Sequence, residues 1–141
     1  MKAVLDSGVG IKWVLQEDLS DKAQKLRDEY QQGMHELLAP DIFTVETMHA
    51  LTKAERQGRI DEGDGWTLWK SIMTDCPDLH DHLSLLQRAY EIASHARIGI
   101  YDCVYVTLAE QEGCDMITAD EKLVKNLQAQ FPFIVSLDSL A

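Results

Sequence analysis

IGIYDCVYVTLAEQEGCDMITAD, residues 98–120, contains the pattern that decides the fold. Asp102 opens an apolar-periodic run, Cys103 to Ala109, that predicts a buried helix. A glycine stops this helix, and Met116 to Thr118 then form a short run typical of a strand, followed at once by Ala119 and Asp120. The stretch is therefore a helix, a turn and a strand, with one acid at the start of the helix and another just past the strand. Both positions face the crevice in which an open α/β sheet binds its ligands.

The same alternation of strands and helices runs through the rest of the chain. Five short β-type runs are expected, at Ala3–Leu5, Leu37–Ala39, Leu79–Leu83, Met116–Thr118 and Phe133–Val135. Helical patterns lie between them, at Val9–Leu15, from a Ser20 N-cap to Tyr30, from Pro40 to Ala54, from Ile60 to Met73, from Leu85 to His95 and at Glu121–Leu127. The pattern predicts an α/β fold, in which helices cover both faces of a short, mainly parallel sheet.

Length and composition fit one domain over residues 1–141. The chain has 45% hydrophobic and 26% charged residues, without a linker rich in proline, glycine or serine. No apolar run approaches the roughly 20 residues that span a bilayer, and we interpret the amino-terminal run as a first strand, so no membrane association is expected. Three cysteines without C-x-x-C spacing argue against a disulfide framework or structural zinc, and favour a cytoplasmic location.

The formal net charge of −11 counts against nucleic-acid binding, because affinity for phosphate comes largely from lysine and arginine. A group of acids that bound divalent cations would answer this objection. Two such ions would return about four positive charges at the place where phosphate arrives.

Four acids are expected to converge at one edge of the predicted sheet. The carboxyl ends of parallel strands share an edge, which brings Asp6, after the first strand, close to Asp120. Asp102 starts a helix at that edge, and Glu46 lies about a turn and a half into the helix after the second strand. Such a cluster is costly unless hard cations such as Mg²⁺ or Mn²⁺ neutralise it. The chemistry that suits it is metal-assisted hydrolysis of phosphodiesters.

Four segments also carry a resemblance to a known family, in order and spacing. They are VLDSGVGIKWVL (Val4–Leu15), LLAPDIFTVETMHAL (Leu37–Leu51), residues 98–120, and the EKLVKNL that follows. Together they resemble the PIN-domain ribonucleases of the virulence-associated-protein-C (VapC) toxin class. This resemblance implies a three-layer α/β/α sandwich, endoribonuclease activity with Mg²⁺ or Mn²⁺, a homodimer, and a cognate antitoxin that holds the toxin inactive.

The resemblance also assigns residues. It implies that Asp6, Glu46, Asp102 and Asp120 are the catalytic, metal-binding acids, and that the hydroxyls of Ser7 and Thr118 support them. His49 is a departure, because members of this class often carry asparagine at that position.

Each residue has a simpler alternative. Asp102 and Asp120 taken singly are typical N-caps, and Glu46 would pair with Lys53 or Lys12 as an ordinary boundary residue. Arg97 is the first candidate for an RNA contact, with a surface ion pair as its alternative. Other acids near the motifs, including Asp41, and the other histidines, including His82, are assigned no role. The bulky face formed by Trp66, Trp69 and Met73 is interpreted as core, with an interface as second choice.

Two other classes of function are compatible with the sequence. A PIN-like binding module without catalytic activity would keep the fold but cleave no RNA. A receiver-like signalling domain would use clustered acids to bind Mg²⁺ and accept a phosphoryl group, but it needs a lysine at a strand end, which the sequence does not offer.

Overall fold

The computed structural model describes all 141 residues, Met1–Ala141. The strands are β1 (Lys2–Leu5), β2 (Glu36–Pro40), β3 (Asp78–His80), β4 (Asp115–Thr118) and β5 (Ile134–Ser136). The α-helices are α1 (Ser7–Ile11), α2 (Ser20–Gln31), α3 (Phe43–Arg56), α4 (Asp64–Thr74), α5 (Leu86–Ala96), α6 (Ile100–Glu112) and α7 (Glu121–Leu127). Two short 3-10 turns, Leu83–Leu85 and Leu137–Ser139, complete the chain.

All five strands are parallel and form one sheet in the order β3-β2-β1-β4-β5. With its helical layers, the sheet makes a three-layer α/β/α sandwich, which confirms the fold class expected from the sequence. None of the helices combines the length and apolar character that crossing a membrane requires.

The order in which the chain adds strands to the sheet reverses between β1 and β4. The chain first moves outward from β1 through β2 to β3, and then returns to the other side of β1 to add β4 and β5. In open parallel sheets, the crevice at such a reversal, beyond the carboxyl ends of the strands, is the usual ligand site. The two central strands, β1 and β4, therefore define where a site is expected.

Helix α6 packs against three strands, β1, β2 and β4, and is covered on its outer side by α5. Its seven consecutive residues from Cys103 to Ala109 are all buried. A surface helix has one apolar face and one polar face, whereas a helix buried on every side is apolar all round. The apolar residues of α6 therefore do not mark a single face. This burial fixes α6, and with it Asp102, against the central strands.

Two local expectations are wrong. Ser20 is not an N-cap, since Leu19 occupies that position in the left-handed conformation (φ 67°) and the buried Ser20 hydroxyl donates to the Leu15 carbonyl.

The aromatic face of α4 is not core throughout. Trp66 is 56% exposed and stacks on the half-buried Trp69 at 5.5 Å between ring centroids.

A close approach between α1 and α3 brings the acid-bearing segments together. Gly10 of α1 lies against Phe43, which is completely buried at the start of α3. A Cβ at position 10 would lie only 2.9 Å from Phe43 Cζ. Because the ring is enclosed, it has little room to yield. Glycine therefore lets α3 pack close to the loop that carries Asp6.

We expect Gly10→Ala to lower the free energy of unfolding by about 1–3 kcal/mol, because the added methyl overpacks against Phe43. Gly8→Ala is the matched control, since it lies in the same short helix and its Cβ would meet nothing within 4 Å. Urea unfolding followed by tryptophan fluorescence measures both. Equal effects of the two substitutions would show that the α1–α3 contact is not tight.

Candidate active site

Asp6 occupies the centre of the candidate site, directly after β1. Its backbone N–H donates to the Ile117 carbonyl at 3.1 Å, which continues the β1–β4 ladder by one residue. Its side chain is buried, and Oδ2 accepts a hydrogen bond of 2.7 Å from the Thr118 hydroxyl. Burial raises the pKa of Asp6 to about 7, with further increases from Asp102 and Glu46, while the Thr118 hydrogen bond acts in the opposite direction. The ionised form of Asp6 is therefore disfavoured in this position, and a nearby positive charge would stabilise it.

Glu46 reaches the site from the first turn of α3. Its Oε1 accepts a hydrogen bond of 2.7 Å from the hydroxyl of Tyr105. Burial raises the pKa of Glu46, Asp102 raises it further, and the Tyr105 hydrogen bond lowers it. The alternative pairing with a lysine is wrong, because Lys12 pairs with Glu17 and Lys53 lies within 4.0 Å of no carboxylate.

The two acids of the 98–120 stretch differ in their hydrogen bonds. Asp102 lies in the first turn of α6 but caps nothing, since Gly99 is the N-cap and α6 has no side-chain cap. Burial raises the pKa of Asp102, and Asp120 raises it further. Asp120 is the N-cap of α7, where Oδ1 accepts from the N–H groups of Lys122 and Leu123, each at 3.1 Å. The capping role is thus correct for Asp120 and wrong for Asp102.

The four acids form an open group without a cationic partner. Asp102 and Glu46 raise the pKa of Asp6, Asp102 also raises that of Glu46, and Asp120 raises that of Asp102. None of the four is paired with a lysine, arginine or histidine within 4.0 Å. No three of them bring donor atoms within 4.8 Å of one another. Asp6 is buried, Glu46 and Asp102 are half-buried and Asp120 is exposed, so the group runs from the interior to the surface. Oxygen donors with uncompensated negative charge suit a hard divalent cation that also keeps water and phosphate ligands.

The two supporting hydroxyls lie beside the acids. Thr118 is completely buried, and its Oγ1 accepts from the Asp120 N–H at 3.1 Å while it donates to Asp6. It therefore links two of the acids. The Ser7 side chain lies beside the hydroxyl of Tyr105. Ser7 and Glu46 also line a cavity of about 740 Å³, whose other walls are Ile42, Val45, His49 and Tyr101. His49, the departure from the family pattern, is thus exposed at the cavity wall next to the acids.

Arg97 is exposed at the end of α5, where it adopts the left-handed conformation (φ 59°). Its side chain makes neither an ion pair within 4.0 Å nor a hydrogen bond, so the ion-pair alternative is wrong. A free guanidinium five residues before Asp102 is available to contact an anion.

A second group of possible metal donors was missed at the sequence level. Asp41, Asp81 and His82 bring one donor atom each within 4.8 Å of one another, at the carboxyl ends of β2 and β3. Asp41 Oδ1 accepts from the His82 backbone N–H at 3.3 Å and lies 2.7 Å from His82 Nδ1. The rule that brings Asp6 and Asp120 to one edge also applies to these neighbouring strands, and it would have found the group.

Comparison with known proteins places this chain in a family. The family model described as PIN domain matches residues 3–127. The chain therefore belongs to the PIN domain family, which confirms the resemblance drawn from its four segments.

The relatives and solved structures agree with this assignment. The chain is 26% identical to Ribonuclease VapC3 of Pyrobaculum aerophilum, over 96% of this chain and 99% of that protein. It is 29% identical to Ribonuclease VapC9 of Mycobacterium tuberculosis, over 70% and 76% of the two chains. The fold is similar to the crystal structure of PAE2754 from Pyrobaculum aerophilum, with a TM-score of 0.69, 20% identity and coverage of 99% and 94%. It is also similar to VapBC2 from Rickettsia felis bound to a promoter DNA fragment, with a TM-score of 0.64, 12% identity and coverage of 96% and 97%.

The raised pKa of Asp6 predicts how stability depends on pH in the absence of metal. Between the ordinary pKa of 3.8 and the folded value of about 7, the folded state keeps a proton that the unfolded state has lost. The free energy of unfolding therefore falls as pH rises between these two values. The contribution of Asp6 is fully present below pH 3.8 and is lost once pH rises through 7. We therefore expect the gain in stability from Asp6→Asn to be larger at pH 8 than at pH 5 by up to about 3 kcal/mol, because the wild type loses this stability over the two pH units between 5 and 7.

Urea unfolding in EDTA at several pH values measures this difference. Asp115→Asn, which removes an exposed acid at the other end of β4, is the control and should show no such trend. If the stability difference between wild type and Asp6→Asn is the same at every pH, Asp6 does not titrate as a buried acid.

Proposed function

We propose that this chain, as a single PIN domain over residues 1–141, is a metal-dependent endoribonuclease that hydrolyses RNA phosphodiester bonds. Asp6, Glu46, Asp102 and Asp120 are the catalytic residues and hold Mg²⁺ or Mn²⁺, with Ser7 and Thr118 in support. The observation that carries the proposal is the convergence of four acids, from the β1–α1 junction, α3, α6 and the β4–α7 loop, with no cation beside them. The ribonuclease names of the relatives support the reaction class.

A divalent cation held there would supply a hydroxide nucleophile near neutral pH and offset the charge of the phosphate. The chain's own residues orient the acids for that task. Thr118 donates to Asp6 Oδ2, and the backbone of α7 holds Asp120 Oδ1. The open side of the group, towards the cavity beside Glu46 and Ser7, is where an RNA strand would approach.

The partners follow from the same family. We propose that the nuclease is the toxin of a toxin–antitoxin pair, inhibited by a cognate antitoxin in the cytoplasm, and that it forms a homodimer. The support for an antitoxin is the VapBC2 structure, and light scattering of the purified chain tests the dimer. A PIN-fold binding module without activity is the remaining alternative. A receiver-like domain is not favoured, because the residues that directly follow the five strands include no lysine.

We expect Asp102→Asn to reduce metal-dependent RNA cleavage by about 100-fold or more, because it removes a ligand charge without changing the size of the side chain. A total RNA pool is incubated with wild type or variant in Mg²⁺, Mn²⁺ or EDTA, and the cut sites are mapped by sequencing. Asp115→Asn should cleave and melt like wild type. Asp102→Asn should melt at or above the wild-type temperature, because it removes a half-buried charge that burial and Asp120 disfavour, so a loss of cleavage does not come from unfolding.

The outcomes separate the two candidate functions. Cleavage that requires metal and Asp102 supports the nuclease. No cleavage of any RNA under any metal condition would favour the binding module, and equal cleavage by Asp102→Asn would rule out the proposed site.

We further expect Arg97→Gln to raise the KM for RNA while kcat changes little, because the free guanidinium contacts phosphate outside the reacting group. The slope of log(kcat/KM) against log salt should fall in magnitude by about 1. Arg56→Gln removes the same charge from an exposed position at the end of α3 and serves as the control. An identical response of the two variants would mean that Arg97 acts only through net charge.

A further inference from the structure

Tyr105 is the one side chain that hydrogen bonds to Glu46, and it is not among the site residues expected from the sequence. It lies one turn after Asp102 on α6, so the two side chains project from the same side of the helix. Its side chain is 1% exposed, and its hydroxyl lies 2.7 Å from Glu46 Oε1. This hydrogen bond joins α6 to α3, the two helices that bring Asp102 and Glu46 to the site.

The chemistry of a phenol suits this position. A lysine or arginine beside Glu46 would also hold the carboxylate, but its positive charge would oppose a metal cation at the same oxygens. A neutral hydroxyl fixes one oxygen in place and leaves the negative charge of the group uncompensated. Oε2 of Glu46 has no hydrogen-bond partner and remains available to a ligand.

We propose that Tyr105 is a positioning residue, which orients the Glu46 carboxylate for cation binding through this hydrogen bond. The inference rests on the proposed function, because it requires Glu46 to bind metal. It adds a residue to the site that makes no contact with the metal or with RNA.

A purely structural role for Tyr105 makes a different prediction. A buried phenol needs some acceptor, and Glu46 would simply be the nearest one. In that case loss of the hydroxyl would change the stability of the fold without changing the affinity for metal. Substitution by phenylalanine separates the two roles, because it keeps the buried ring and removes only the hydroxyl.

The experiment is titration of the metal-free protein with Mn²⁺, followed by calorimetry and by the EPR signal of free Mn²⁺. We expect Tyr105→Phe to bind Mn²⁺ about 10-fold or more weakly than wild type, the usual effect of removing a residue that orients a ligand. Tyr30→Phe is the control, since the Tyr30 hydroxyl donates to the Cys76 carbonyl at 3.2 Å, away from the acids. Thermal unfolding in EDTA checks that each variant is folded at the temperature of titration.

A double-mutant cycle with Glu46→Ala tests whether Tyr105 acts through Glu46. If it does, Tyr105→Phe has no further effect on Mn²⁺ affinity once Glu46 is alanine. Additive losses would overturn the inference, as would wild-type affinity in Tyr105→Phe. If Tyr105→Phe destabilises the fold, the cycle still decides, because a general loss of structure weakens binding in both backgrounds.

The same cycle distinguishes failure of the inference from failure of the proposed function. Weaker binding by Glu46→Ala together with normal binding by Tyr105→Phe removes Tyr105 from the site and leaves the metal assignment intact. Unchanged binding by Glu46→Ala shows that Glu46 is not a ligand, and both proposals then fail for this residue.

Discussion

The site depends on the two hydrogen bonds that the Thr118 hydroxyl makes to Asp6 and Asp120. The hydroxyl donates to Asp6 Oδ2 at 2.7 Å and accepts from the Asp120 N–H at 3.1 Å, across the two central strands. These strands are neighbours only because the chain reverses between β1 and β4, so the topology of the sheet creates the contact. A carboxylate buried at this point would be costly without a donor. Thr118 supplies one without adding positive charge, and it holds Asp6 in a fixed orientation beside the other acids.

Two further acids of the site are held in the same way as Asp6, by an uncharged hydrogen-bond donor on a helix. Glu46 accepts from Tyr105, and Asp120 accepts from the backbone of α7, so each of these acids is held by a neutral donor. No lysine or arginine side chain neutralises these acids. Lys12 pairs with Glu17, and Arg97 pairs with no carboxylate. Neutral donors orient carboxylates while leaving their charge available, which is what a cation site needs before the cation arrives. Rigid elements supply the orientation, since α6 is enclosed by the sheet and α5.

Much of this could be predicted from the sequence, because strand order along the chain and the shared edge of parallel strands are sufficient to bring Asp6 and Asp120 together. The parallel sandwich and the placement of Glu46 and Asp102 follow from the same rules. Tyr105 could not be predicted, since a tyrosine inside the apolar run of a helix buried on all sides reads as core, and periodicity does not tell which way it points. The exposure of Trp66 was missed for a related reason. An apolar face indicates burial against something, and it does not say whether that partner belongs to the same chain.

The energetic cost of the site favours the nuclease over a binding module without activity. Burial raises the pKa of Asp6, Glu46 and Asp102, so each is destabilising when it is ionised near neutral pH. A module that only bound a protein partner through its surface would gain nothing from buried and half-buried acids beside one another. Asparagine or glutamine at these positions would keep the hydrogen bonds and remove the repulsion. A site that binds divalent cations requires the charge itself. The same requirement accounts for part of the net charge of −11, since those acids would be offset locally when RNA phosphate approaches. The charge that argues against RNA binding by the empty protein is thus compatible with RNA binding by the metal-loaded one.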